Sequence, residues 1–186
     1  MINIVIPMAG AGSRFAKAGY KNPKPFIDVL GKPMICHVLD NLNIPDAKFI
    51  LLTRFEHYNN EQETVKWIKS NYKVEFVMID KLTEGAACTV LHAHRLINND
   101  TPLLIANSDQ IVDMDISEYI NDSKKRGLDG SVLCFEDNDK KWSYAKLDKN
   151  RFITEIREKE VISKNATVGI YYFNKGRDFV ENAIDM

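Results

Sequence analysis

The chain has 186 residues, 45% hydrophobic and 27% charged, which suits a folded globular chain and argues against disorder, collagen or a fibrous repeat. Twenty-five Lys and Arg against 26 Asp and Glu leave a net charge of −1, which argues against a nucleic-acid binder held by diffuse positive charge. No apolar run approaches the ~20 residues of a membrane span, and three widely spaced cysteines (Cys36, Cys88, Cys134) match neither a disulfide scaffold nor a zinc site, so a reducing cytoplasm is expected.

In chain order, Ile2–Pro7 is a β-branched apolar run that reads as a buried strand. Pro33 followed by Met34, Ile35, Val38 and Leu39 predicts a helix with Pro in its first turn. Phe49–Leu52 predicts a second strand, Val65, Ile68 and Tyr72 a helix, and Val74–Ile79 a third strand. Ala87, Val90, Leu91, His94 and Ile97 then share one face of a single predicted helix, with His94 read as a core residue. Leu103–Ala106 is the fourth strand, and a helix is expected from Ile116 to about Arg126, capped by Asp115. After that the pattern turns to strands with little helix between them: Ser131–Phe135, Ser143–Leu147, Phe152–Ile156 and Val168–Phe173. A last amphipathic helix uses Phe179, Val180, Ala183 and Ile184. The expectation is a three-layer, Rossmann-like α/β fold, its mostly parallel sheet carrying an antiparallel extension. A single domain over 1–186 is expected, with a first part at 1–126 and a second, mostly antiparallel part at 127–186.

Charge is unevenly spread. Residues 1–27 contain Arg14, Lys17, Lys21 and Lys24 and no acid. Within them, Met8-Ala9-Gly10-Ala11-Gly12-Ser13-Arg14-Phe15 directly follows the first strand. Glycines at the carboxyl end of a parallel strand let backbone N–H groups approach phosphate oxygens, and an arginine can bind those oxygens in pairs. The dinucleotide fingerprint fails, because Phe15 stands where its third glycine belongs, and so does the P-loop, which needs G-K-[ST]. What remains is a nucleotide cradle with a second base. Asn22-Pro23-Lys24-Pro25-Phe26 supplies it, since flanking prolines hold Lys24 as a positioned charge.

These blocks, with Leu30-Gly31-Lys32-Pro33-Met34 after them, resemble the signature of the sugar-nucleotide pyrophosphorylase type of nucleotidyltransferase. The likeness runs on through Thr83-Glu84-Gly85-Ala86, where that family places a base-contacting loop, through Asn107-Ser108-Asp109, and through Val168–Phe173. The resemblance implies transfer of a nucleotidyl group from an NTP to a phosphorylated acceptor with release of pyrophosphate. An acceptor phosphate is already an anion, so such a reaction needs alignment and charge neutralisation rather than a general base. By the same resemblance, Arg14 holds the leaving pyrophosphate portion and Lys24 neutralises the α-phosphate. Met8 to Ser13 and Thr83 to Ala86 hold the nucleotide, and Asp109 ligates Mg²⁺, with Asp113 and Asp115 as lesser candidates.

Tyr144, Lys146, Glu158 and Lys159 are the expected acceptor contacts, although Glu160 stands where many relatives have proline. Thr83–Leu91 looks most like the capsule and lipooligosaccharide cytidylyltransferase branch, which implies CTP and an acceptor such as phosphocholine, whose cation Tyr144 or Glu158 would serve. Uridylyl or thymidylyl transfer to a sugar 1-phosphate is the alternative, and a nucleotide-binding module without turnover is a third. Relatives carry a second metal-binding Asp well after the late strand, whereas 13 residues follow Phe173 here and the amphipathic pattern is still running at Ile184. A truncated form of the enzyme is therefore expected, with a natural short form that completes its site differently as the alternative.

Overall fold

The computed structural model describes residues 1–185. The first half alternates strands and helices: β1 (Ile2–Pro7), α1 (Ser13–Lys17), the short hairpin β2 (Asp28–Val29) and β3 (Lys32–Pro33), α2 (Met34–Asn41), β4 (Ala47–Arg54), α3 (Phe55–Asn60), α4 (Gln62–Asn71) and β5 (Val74–Ile79). There follow α5 (Ala86–Leu91), α6 (His94–Ile97), β6 (Leu103–Ala106) and α7 (Ile116–Lys125). The second half is β7 (Gly130–Glu136), β8 (Ser143–Leu147), β9 (Ile153–Glu158), β10 (Asn165–Phe173) and α8 (Gly176–Ile184).

One eight-stranded sheet runs β5-β4-β1-β6-β10-β8-β9, with β7 on the free side of β10. β5, β4, β1 and β6 are parallel, so the loops that leave their carboxyl ends crowd one edge. β10 returns antiparallel to β6, pairing Ile170 with Ala106, and brings the antiparallel strands with it. The strand pleat sends alternate residues of β1 to opposite faces. Ile2, Ile4 and Ile6 join a core with Ile35 and Leu39 of α2, Ile68 of α4 and Ile120 of α7. Val5 joins the other core, with Val90 of α5, Ile97 of α6, and Phe179 and Val180 of α8. Two helical layers on one sheet give the three-layer α/β architecture expected from the pattern, antiparallel extension included.

The helix expected across Ala87–Ile97 is two helices. His92 and Ala93 donate to carbonyls three residues back, Thr89 and Val90, which tightens that turn and ends the regular face. His94 is consequently exposed and not a core residue, its Nδ1 lying 2.9 Å from the Leu91 carbonyl. Asp115 caps α7 as expected, accepting from the Ser117 N–H at 2.8 Å. Among the described residues, no helix is long and apolar enough to cross a membrane.

Candidate active site

The site grows from the carboxyl end of β1. Met8 still behaves as strand, donating its N–H to the Leu52 carbonyl at 2.8 Å, and its side chain is buried with that of Ala9. Beyond it, the N–H groups of Gly10, Ala11 and Gly12 donate to no backbone carbonyl among the described residues, so the loop keeps its donors for a ligand. Gly12 opens α1 at φ +57°, a left-handed conformation natural to glycine, and a Cβ there would stand 3.3 Å from Lys24 Cβ. Lys24 begins a single 3₁₀ turn, Lys24–Phe26, anchored by the burial of Pro25 and Phe26. Its ammonium lies 5.7 Å from the Phe15 ring centre and forms an ion pair with Asp109, just past the end of β6.

A cavity of about 330 Å³ lies between these elements, lined by the whole glycine loop, Arg14, Phe15, Lys24, Pro25 and the run Asn107-Ser108-Asp109. Arg14 is exposed and faces this cavity. Residues Met8, Gly10, Ala11, Gly12, Ser13, Arg14, Lys24 and Asp109, singled out from distant parts of the chain, are thus brought together. A second cavity of about 270 Å³ lies behind the loop, between Tyr20, Lys21, His57 and Glu61. The His57 Nδ1 there is buried without a hydrogen-bond partner, and burial, reinforced by the Arg54 charge, depresses its pKa.

Asp109 is the one protein carboxylate on the glycine-loop cavity, and among the described residues no group of three His, Cys, Asp or Glu could cage a metal by itself. That donor set fits Mg²⁺, which takes one or two carboxylates and completes its shell with substrate phosphate and water. Asp115 is engaged by Ser117, whose hydrogen bonding holds its carboxyl below the usual range, so it serves the helix rather than a metal.

Thr83, Glu84, Gly85 and Ala86 do not line the cavity. They connect β5 to α5 on the same edge of the sheet, and the segment is braced by Thr89, whose hydroxyl donates to the Gly85 carbonyl at 2.9 Å and meets Thr83 Oγ1 at 2.5 Å. The acceptor set is not brought to the cavity either. Tyr144 is fully buried, with its hydroxyl donating to the Asp139 carbonyl at 2.9 Å, so it has no surface to offer an acceptor or a choline cation. That expectation is corrected: Tyr144 belongs to the core. Lys146 is exposed on β8, and Glu158 and Lys159 pair with each other at 2.9 Å on the surface. A larger cavity of about 480 Å³ lies in the antiparallel part, between β7 and the β8–β9 turn, and shares no lining residue with the glycine-loop cavity. Cys36 is buried, which pushes its thiol up to about 11, and burial also raises Cys134, so neither supplies a thiolate; Cys88 is exposed.

Reading the sequence missed Asn107 and Ser108 as site residues, although they directly precede the Asp109 it identified. It also passed over Gly169, at φ +82° in β10, where a Cβ would run into the Asn107 side chain.

A glycine loop and a proline-held lysine facing a strand-end aspartate define a nucleotidyl-transferring class of α/β protein. The chain belongs to the nucleotidyl transferase family, whose model matches residues 4–183. It is 31% identical over 127 residues to a "Bifunctional protein GlmU" of Methanococcus vannielii, covering 68% of this chain and 29% of that protein. It is 27% identical over 182 residues to a mannose-1-phosphate guanyltransferase of Yarrowia lipolytica, covering 91% of this chain and 48% of the relative. The chain therefore spans less than half the length of either. Among solved structures, a nucleoside-diphosphate-sugar pyrophosphorylase of Vibrio cholerae superposes with a TM-score of 0.77 at 26% identity, over 98% of this chain and 77% of that one.

Proposed function

We propose that this chain transfers a nucleotidyl group from an NTP to the phosphate of a sugar 1-phosphate, releasing pyrophosphate. An acceptor phosphate oxygen attacks the α-phosphorus, the bond to the β-phosphate oxygen breaks, and both electrons of that bond leave with pyrophosphate. The observation that carries the reading is the ion pair of Lys24 and Asp109 on the wall of a cavity that the glycine loop, with its free N–H groups, also lines. These are the two opposite charges such a reaction needs, one for phosphate oxygens and one for a cation.

Arg14 grips the β- and γ-phosphates, and Lys24 stands at the α-phosphate, where negative charge builds as the acceptor closes. The N–H groups of Gly10, Ala11 and Gly12 orient the nucleotide, and Thr83–Ala86 face its base from the end of β5, two strands from β1. Asp109 would hold Mg²⁺, which when bound neutralises triphosphate charge. Residues 1–126 carry the nucleotide side and 127–186 most of the acceptor side, although Lys146, Glu158 and Lys159 do not line the glycine-loop cavity.

The sugar 1-phosphate is supported by the names of the matched proteins, among them the mannose-1-phosphate guanyltransferase and the nucleoside-diphosphate-sugar pyrophosphorylase. A cytidylyl reading, with CTP serving surface-polysaccharide precursors, rests on the likeness of Thr83–Leu91 alone, and the burial of Tyr144 removes part of its support for a choline acceptor. Pyrophosphate release from CTP, UTP, GTP and dTTP, each with glucose 1-phosphate, mannose 1-phosphate or phosphocholine and Mg²⁺, tests both. Turnover with a sugar 1-phosphate is expected. Turnover with CTP and phosphocholine alone would install the second reading. Nucleotide binding with no pyrophosphate from any pair would leave a binding module.

A further inference from the structure

We propose that Asn107 reads a hydroxyl of the acceptor and that Gln110 is the positioning residue that sets its carboxamide; this rests on the transfer reaction proposed above. Asn107 is the first residue beyond β6 and lines the cavity beside Lys24 and Asp109. Its Nδ2 donates to Gln110 Oε1 at 2.5 Å. One N–H of the amide is thereby engaged, leaving the carbonyl oxygen and a second N–H for a ligand.

Gly169 is the independent observation. It lies where the pairing of β10 with β7 shifts register, between Thr167 and Tyr171, at φ +82°. A Cβ there would overlap Asn107 Nδ2 and stand 2.8 Å from Gln110 Oε1. The bulged strand therefore leaves out a side chain at the one place where the Asn107–Gln110 pair needs the room.

Position within the sheet assigns the ligand. In the order β5-β4-β1-β6-β10, the Thr83–Ala86 loop leaves β5 on one side of the glycine loop, and Asn107 and Gly169 lie on the other, at β6 and β10. With the base toward β5, the β6–β10 side is left to the acceptor. Arg14 and Lys24 already answer the phosphate charges; a fixed neutral amide suits a neutral hydroxyl group on a polyhydroxylated acceptor.

The test uses Gln110→Met, which keeps length and loses the hydrogen-bond acceptor, with Asn107→Ala and the double variant, all checked by thermal melting. kcat and both KM values are measured with the NTP and sugar 1-phosphate that the wild-type chain turns over best. Gln110→Met is expected to raise the acceptor KM about tenfold, the loss of one oriented hydrogen bond, with the NTP KM within about twofold. In the Asn107→Ala background it should have no further effect, because Gln110 acts only through Asn107. An equal rise in both KM values, or an additive double variant, overturns the assignment. An unchanged Gln110→Met beside an active wild type overturns this inference alone, whereas a wild type that turns over no pair overturns it together with the function proposed above.

Discussion

Lys24 and Asp109 neutralise each other in the cleft, yet the proposed reaction needs them apart, one on phosphate and one on a cation. A divalent ion approaching Asp109 before the nucleotide must therefore displace an ammonium. The two side chains are 23% and 36% exposed, between surface and interior. Unit charges about 4 Å apart attract by roughly 4 kcal/mol at an effective dielectric near 20, while pairs open to water retain about 0.2–1 kcal/mol. Taking about 1 kcal/mol for this pair, Lys24→Met should raise the affinity of the nucleotide-free protein for Mn²⁺, a probe that shares the oxygen preference of Mg²⁺, about fivefold. The same variant should lose transfer rate by roughly two to three orders of magnitude. Titrating free Mn²⁺ by its electron paramagnetic resonance signal reads the first effect, with Asp109→Asn as the control that abolishes binding. Unchanged or weaker Mn²⁺ binding in Lys24→Met would refute the reasoning, since the ammonium would then not be competing for that carboxylate.

Gly12→Ala should cost about 1–2 kcal/mol in denaturant unfolding, because a side chain is forced into a left-handed conformation, and should slow turnover, because its Cβ would press on Lys24 from 3.3 Å. His57, with its depressed pKa, refuses a proton that the unfolded chain accepts. Stability from this group is thus full above about pH 6.5 and falls as the pH drops below it, and His57→Gln should flatten that part of the melting-temperature profile. Tyr144→Phe should lower stability by about 1 kcal/mol through the lost hydrogen bond to Asp139 and leave the acceptor KM unchanged; a raised KM would return Tyr144 to the site.

What could be read in advance was whatever a residue imposes on its own neighbourhood. Ile2–Pro7 and Leu103–Ala106 are strands because they are apolar and largely branched, and the structure buries all but Pro7 of them. Gly10, Gly12, Pro23 and Pro25 announce the cradle because they act on backbone angles within a few residues. The helix over Ala87–Ile97 was misjudged for the complementary reason: a periodic pattern survives on paper even where two hydrogen bonds from His92 and Ala93 tighten the turn. Tyr144 was misjudged because burial depends on neighbours that other strands supply.

The site follows the same division. Arg14 and Lys24 are ten residues apart, and their basic, acid-free surroundings can be seen in any reading of residues 1–27. The counter-charge for Lys24 comes instead from Asp109, delivered by the parallel pairing of β6 with β1, so no tally along the chain would show the two cancelling. Gly169 is further removed: its meaning lies in the amide it makes room for, which arrives on β6 when β10 pairs with that strand in reverse. The charges that would face substrate are held against each other by the fold, and binding has to separate them.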